Sequence, residues 1–375
     1  MLKRVCFVLA LASVFVLVIP SAVAQDDALP TLADLETDVW TSIAPGGDTV
    51  CSNNTPYQFF VRPADPERVL IFLNGGGACW FGQICDVSGG QITYVPFAEL
   101  PQNSPEDGGG IFDLANPENP FADYSMVFLP YCTADVHLGG GETVYEIPAS
   151  GDKPAREVTI LHNGFANAMS ALDWVFDNFD APDQIFVTGS SAGAIPSPLY
   201  TGIIAEQYPE AAIVQLGDGA GGYRSSQSHV VFDAWHTLDI LPDWPELAAE
   251  TADTLTFEDL YVAAAQRYPN VAFAQYNTAE DEVQYGFLAL LGETDISLPD
   301  KLAANLADIT AVVDNFHYFT AGGPVHTILR LPQFYTFAAN GVRIRDWVAA
   351  LASGEPVEDV VCQVCDAAEE VGGGS

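Results

Sequence analysis

The stretch Gln184-Ile-Phe-Val-Thr-Gly-Ser-Ser-Ala-Gly-Ala194 decides the fold. Ile185, Phe186 and Val187 form a short continuous apolar run, the pattern of a strand buried on both faces of a parallel sheet. The run ends in Gly189-Ser190-Ser191-Ala192-Gly193, a G-x-S-x-G. Glycine at both flanks lets the backbone turn sharply from strand into helix, leaving the middle serine exposed at the carboxyl edge of the sheet. The Ala192 N–H then falls at a helix start, where unpaired amides and the helix dipole favour a developing negative charge. Small-residue turns produce this pentapeptide by chance. Its weight comes from the strand before it, the helix after it and candidate partners further along.

A second glycine-rich stretch, Leu73-Asn-Gly-Gly-Gly-Ala-Cys-Trp80, directly follows the apolar run that begins at Val69. Successive glycines let backbone amides converge on one cavity without Cβ clashes, as an oxyanion hole requires. A nucleotide-phosphate loop fits less well, because both G-x-G-x-x-G and the P-loop lysine are missing. A serine nucleophile needs a base, and the base an orienting acid, in chain order serine, acid, histidine for a serine on this kind of turn. Of the six histidines, only His317 and His326 follow the later strands. His317 lies inside the strand around Asn315–Phe319, where a structural role is expected. His326 follows the loop Ala321-Gly-Gly-Pro-Val325 and is the candidate base. The candidate acid is Asp281, after the strand 271–276, with Glu280 and Glu282 as neighbours. Asp218, in Gly217-Asp-Gly-Ala-Gly221, is the second choice, and more naturally shapes a tight turn behind the site. His137, His162, His229 and His236 precede the acid and are expected at the surface or in a cap.

Strand and helix patterns alternate around these motifs. Strands are expected over 57–61, 69–73, 126–130, 185–187, 213–216, 271–276 and 316–319. A helix is expected over 164–178, another up to Gln207 with Pro196 and Pro198 near its first turn, and a short amphipathic helix over 32–43. This alternation implies an α/β fold, a mainly parallel sheet with helices on both faces. Residues 25–365 are expected to form one domain with a cap insertion at about 221–268, followed by a disordered tail at 366–375. Residues 1–24 have a basic start (Lys3, Arg4), an apolar run and Ala22-Val-Ala24, the pattern of a cleaved signal peptide; the run is too short to span a membrane comfortably.

The formal charge is −38, or −40 without the leader's two basic residues. Such a surface repels nucleic acid and anionic membranes, which excludes both as expected partners. A secreted or periplasmic monomer without metal or organic cofactor is the expectation. Six cysteines remain beyond the leader's Cys6, an even number that suggests disulfides in an oxidising compartment. Fifteen pairings are possible. Cys79–Cys85 and Cys362–Cys365 are natural local bridges, which leaves Cys51–Cys132. The Cys362-x-x-Cys365 spacing also suits zinc or redox chemistry, but no second ligand pair accompanies it.

Together the landmarks resemble the pectin acetylesterase/Notum family of secreted α/β-hydrolase-like carboxylesterases. They are Thr49-Val-Cys51 with Pro56-Tyr57, the Leu73–Cys79 loop, Tyr131-Cys-Thr-Ala-Asp135, Gly189–Gly193, Gly217–Ala220, Asn277–Asp281 and His326. The resemblance implies a triad of Ser191, Asp281 and His326, oxyanion amides from Gly76, Gly77 and Ala192, and a Cys79–Cys85 bridge. It implies an ester substrate: an acetylated polysaccharide, with a longer acyl ester as the alternative within the same chemistry. A non-catalytic secreted binding protein on the same scaffold is the alternative from another class. The chain departs from the family pattern at Ala78, where an aromatic residue is common, and carries Trp80 two places on. The resemblance therefore leaves the acyl-pocket shape open. The charge also opposes polygalacturonate, so neutral acetylated polysaccharides and simple esters suit the chain at least as well.

Overall fold

Alternate side chains of the buried strands point to opposite faces of one sheet, and two apolar cores result. The computed structural model describes residues 28–106 and 108–371; the expected leader and residues 372–375 lie outside the described residues. In chain order the strands are β1 Thr41–Ile43, β2 Phe59–Arg62, β3 Asp65–Leu73, β4 Tyr124–Leu129, the hairpin β5 Gly141–Ile147 and β6 Arg156–His162, β7 Gln184–Ser190, β8 Ala212–Asp218, β9 Phe273–Thr278 and β10 Phe316–Ala321. Short strands follow: β11 Phe337–Ala339, β12 Val342–Arg343, β13 Val360–Val361 and β14 Glu369–Glu370. Among the described residues nine strands form the main sheet, in the order β1-β2-β4-β3-β7-β8-β9-β10-β13. From β4 to β13 every pairing is parallel; β1 and β2 are antiparallel additions at one edge. This is an α/β-hydrolase-like sheet.

Val69, Ile71 and Leu73 of β3, with Ile185 and Val187 of β7, enter one core; Leu70, Phe72 and Phe186 enter the other. The helices are α1 Gly82–Cys85, α2 Gly164–Asn178, α3 Ser197–Gln207, α4 Ser228–Trp235, α5 Phe257–Arg267, α6 Glu282–Leu290, α7 Leu298–Thr310 and α8 Ile344–Ala352. Buried side chains of α2, α3, α5 and α7 cover the first core, whereas α8 and surrounding loops cover the second. Pro196 caps α3 and Pro198 sits in its first turn, where a missing N–H costs no intrahelical bond. Three disulfides, Cys51–Cys132, Cys79–Cys85 and Cys362–Cys365, close loops with sequence separations of 81, 6 and 3. The longest stabilises by roughly 4 kcal/mol on a chain-entropy view.

Two expectations are corrected. Residues 32–43 are not one helix: a 3₁₀ turn at Leu32–Asp34 ends early, Asp38 has φ +65°, and Thr41–Ile43 pairs with Phe59–Val61. Residues 366–371 are ordered rather than a disordered tail, because Glu369 and Glu370 pair with Ala338 and Phe337. Within 221–268, α4 carries Val231 and Trp235 toward Ser191, while α5 packs beside α3 and α7 over the sheet.

Among the described residues most cationic side chains are used in ion pairs. Arg62, Arg68, Arg156, Arg224, Arg267, Lys301, Arg343 and Arg345 each pair with a carboxylate. Against 50 acidic residues this leaves most carboxylates of the described residues without a cationic partner. Screening should relieve their mutual repulsion. Raising NaCl from about 0.02 to 0.5 M is expected to raise Tm by about 5 °C in scanning calorimetry; a flat or falling Tm would contradict it.

Candidate active site

The parallel register brings five strand ends to one edge of the sheet. Leu73 of β3 lies opposite Gly189 of β7, Ser190 opposite Asp218 of β8, and Thr278 of β9 opposite Ala321 of β10. Asp218 ends β8 itself, and the loops that leave these ends carry the glycine triplet, Ser191, Asp281 and His326. In open α/β sheets ligands bind outside this edge.

Ser191 follows β7 directly and has φ +55°. A left-handed conformation is rare for a residue with a Cβ, and it lifts the hydroxyl clear of the sheet. The flanking glycines make this possible: a Cβ on Gly189 would strike the Gly193 backbone, and one on Gly193 would strike the Leu73 carbonyl. Ser191 starts a 3₁₀ turn to Gly193, so the Ala192 amide lies in a first turn without an intrahelical acceptor.

The structure brings Ser191, Asp281 and His326 together. His326 Nδ1 lies 2.6 Å from Asp281 Oδ2, and Nε2 lies 2.7 Å from Ser191 Oγ. An ionised carboxylate can only accept, so Nδ1–H donates to Asp281 and Nε2 is left to accept the serine proton. Asp281 is fully buried and caps α6. Its Oδ1 accepts from the Val283 and Gln284 amides at 2.9 and 3.0 Å, and its Oδ2 from Gln284 Nε2 at 2.9 Å. The rivals are elsewhere: Glu280 accepts from the Tyr285 hydroxyl, and His317 lies 3.5 Å from Asp359.

Asp218 is not the acid. Its Oδ2 accepts from Ser190 Oγ at 2.8 Å and from the Leu329 amide at 3.0 Å, and its Oδ1 from the Ile328 amide at 3.0 Å. It thereby ties the end of β7 to the loop just after His326. Burial pushes its carboxyl up to about 6, opposed by those same hydrogen bonds.

In the glycine loop Gly77 has φ +77°, and a Cβ on Gly75 would press on the Ser190 carbonyl. Among the described residues neither the Gly76 nor the Gly77 N–H donates to a protein acceptor. Beneath it lies a second loop whose residues Ala134, Val136 and His137 all have positive φ. The Cys79 amide donates to the Ala134 carbonyl at 3.0 Å, and His137 Nε2 lies 2.9 Å from the Asn74 carbonyl. Burial lowers His137 to about 4, so the ring is neutral at physiological pH and donates through Nε2–H. Asp135 holds this loop by accepting from Thr133 Oγ1, the His137 amide and the Gly164 amide at 2.6, 3.1 and 2.7 Å. His137 and His162, expected at the surface or in a cap, are instead buried supports. Arg330 was also hidden in the sequence: it binds Asn74 Oδ1 and the Gln102 and Ser104 carbonyls, bracing the glycine loop.

Ser191 stands between two unlike spaces. On one side is an apolar cavity of about 40 Å³ lined by Ala78, Trp80, Val136, Ile195, Trp235 and Phe287 among others. On the other is an open cleft of about 470 Å³, with Gln102, Thr93, Thr327 and Arg330 in its walls. Among the described residues no cluster of His, Cys, Asp or Glu suits a metal ion.

Replacing Asp218 by Ala strands the Ile328 and Leu329 amides and frees the loop that carries His326. We expect Tm in scanning calorimetry to fall by about 5 °C. The pH dependence has a definite sign. With a folded pKa of about 6 against 3.8 for an ordinary aspartate, the wild-type protein takes up a proton on folding between those values, so this group adds stability as pH falls through that window. The Tm deficit of Asp218→Ala should therefore be larger at pH 4.5 than at pH 7.5; the reverse order would show that burial does not raise this carboxyl.

No protein-family model matches the chain. Curated relatives do. The chain is 26% identical over 155 residues to the palmitoleoyl-protein carboxylesterase NOTUM of Schmidtea mediterranea, covering 39% of this chain and 26% of that protein. It is 29% identical over 111 residues to an inactive palmitoleoyl-protein carboxylesterase, notum1b of Danio rerio, covering 28% of this chain and 76% of that protein. It is 32% identical over 117 residues to acetylxylan esterase A of Aspergillus awamori, covering 29% of this chain and 36% of that protein. The chain thus spans about a quarter to a third of the length of the NOTUM and acetylxylan esterase relatives, and its similarity is to carboxylic ester hydrolases of the Notum and acetylxylan esterase kinds.

Proposed function

We propose that this chain is a secreted serine carboxylesterase that removes short acyl groups, acetyl first among them, from a bulky alcohol such as a neutral acetylated polysaccharide. The observation that carries the reading is the unbroken chain from Ser191 through His326 to buried Asp281, with bonds of 2.7 and 2.6 Å. In this reading His326 Nε2 takes the Ser191 proton as Oγ attacks the ester carbonyl. Asp281 fixes the imidazole tautomer and stabilises the imidazolium that forms. The Gly76, Gly77 and Ala192 amides donate to the oxyanion, each contributing on the order of 3 kcal/mol to the transition state. The alcohol departs with the proton from His326, and water releases the acid from the acyl-enzyme by the same route.

The two spaces beside Ser191 support the substrate class. A cavity of about 40 Å³ suits a short acyl chain, whereas the open cleft of about 470 Å³ suits a large alcohol. Three disulfides fit an oxidising compartment. Among the described residues no helix is long and apolar enough to cross a membrane.

Aryl esters from acetate to palmitate test the reading directly. We expect kcat/KM to peak at two to four carbons and to fall at least about tenfold by eight carbons. Ser191→Ala should lose at least about a thousandfold in kcat while keeping its fold, and should no longer react with a fluorophosphonate probe. A maximum at palmitate would favour the long-acyl alternative. Absence of both turnover and labelling in the wild-type protein would leave only a binding function.

A further inference from the structure

His326 lies on a loop held from outside the main sheet. Between β10 and His326 the chain turns at Gly322 and Gly323, and the C-terminal segment closes over that turn. The Gly323 amide donates to the Cys365 carbonyl at 2.9 Å. The place where a Cβ on Gly322 would sit is filled by the carbonyls of Ala367 and Val364, and Ala368 backs Gly323 at φ +90°. On its other side the Gly323 carbonyl accepts from the Glu280 amide at 3.1 Å, one residue before Asp281. One turn therefore links three things by backbone contact: the Cys365 carbonyl, the loop bearing the acid and the loop bearing the base.

The clamp is itself anchored. The Cys362 amide donates to the Thr320 carbonyl at 2.9 Å, and the Gln363 amide to Asn340 Oδ1 at 3.0 Å. The Cys362–Cys365 disulfide then folds the four-residue loop back, so that the Cys365 carbonyl faces Gly323. Beyond it, Glu369 and Glu370 pair with β11. Neither cysteine lines the cavity or the cleft beside Ser191.

We propose that the Cys362–Cys365 loop is a positioning device for the acid–base pair: by clamping the Gly322–Gly323 turn it keeps His326 aligned with both Asp281 and Ser191. The inference rests on the esterase reading above. Opening the disulfide releases the Cys365 carbonyl from Gly323, and the His326 loop gains freedom without loss of any residue that touches substrate. Small displacements of a base are costly, since a shift of about 1 Å lowers turnover by about a hundredfold.

The experiment compares the full chain with Cys362→Ser/Cys365→Ser and, independently, with Gly322→Ala, whose added methyl pushes away the Ala367 carbonyl while the disulfide stays closed. Two readouts are taken: steady-state kinetics on an aryl acetate, and the low-field proton resonance of His326 Nδ1–H, assigned by its absence in His326→Ala. Both variants should lose about tenfold to a hundredfold in kcat with KM within about twofold, and the resonance should broaden or vanish. A loop that only adds stability would lower Tm and leave kcat and the resonance at wild-type values, which overturns the proposal. If the double serine variant fails to fold, Gly322→Ala decides alone. If the wild-type protein shows no esterase activity, the esterase reading fails, and the resonance still reports whether the clamp aligns His326.

Discussion

Ser191 is held in a left-handed conformation, φ +55°, and the geometry of the whole carboxyl edge of the sheet depends on what keeps it there. Such a conformation costs a residue with a Cβ about 1–3 kcal/mol, so the surroundings must over-determine it. They do so by backbone contact on three sides. The Leu73 carbonyl lies against Gly189 and Gly193, and the Ser190 carbonyl lies against Gly75. A methyl group at any of these glycines would force β3 and β7 apart. Ser191 and the glycine loop are therefore locked by the same contacts, and the Gly76 and Gly77 amides cannot drift relative to the serine oxygen.

Buried carboxylates provide the second level of restraint. Asp135, Asp218 and Asp281 are each fully buried, and each accepts at least three hydrogen bonds from different parts of the chain. Burial pushes Asp135 and Asp218 up to about 6, which is the cost of dehydrating them. A carboxylate can take four donors at once, and bonds to a charged acceptor contribute roughly 1.5–3 kcal/mol each. One such side chain can thus pin two loops that have no regular structure. Asp135 fixes the strained support beneath the glycine loop, Asp218 fixes the loop after His326, and Asp281 fixes the imidazole itself. In an otherwise repulsive acidic protein, these acids are satisfied by amides and hydroxyls rather than by scarce cations.

What the sequence revealed was whatever local chemistry encodes. The strand 184–190, the helix Gly164–Asn178 and the turn at Ser191 follow from patterns within a few residues. The positions of Asp281 and His326 followed from the order of strands, because a parallel sheet delivers every following loop to one edge. Side chains whose roles arise only through tertiary contact stayed hidden. Asp135 was visible as part of a motif but gave no sign of holding Gly164; Arg330 and His137 looked like ordinary polar residues. The apolar spacing over 32–43 suggested a helix because it could not show that Thr41–Ile43 would meet Phe59–Val61. The acidic segment after Cys365 looked disordered because its partners, Ala338 and the Gly322–Gly323 turn, are remote in sequence.

The apolar cavity beside Ser191 stays small although position 78 carries only a methyl group. Ala78 is almost fully buried, and its carbonyl accepts from Thr93 Oγ1 at 2.6 Å, so its methyl cannot move aside to open space. Trp80 supplies the missing bulk from two residues further on, with its ring 6.3 Å from that of Phe287. Trp235 closes the cavity from α4 and donates its indole N–H to the Cys79 carbonyl at 2.8 Å. The side chain that narrows the cavity is thus hydrogen-bonded to the backbone that continues from the glycine loop. Any group too large for the cavity would have to displace Trp235, and in doing so would pull on Cys79 and the glycine loop. The shape of the apolar cavity and the placement of the glycine loop are therefore mechanically one property of this fold.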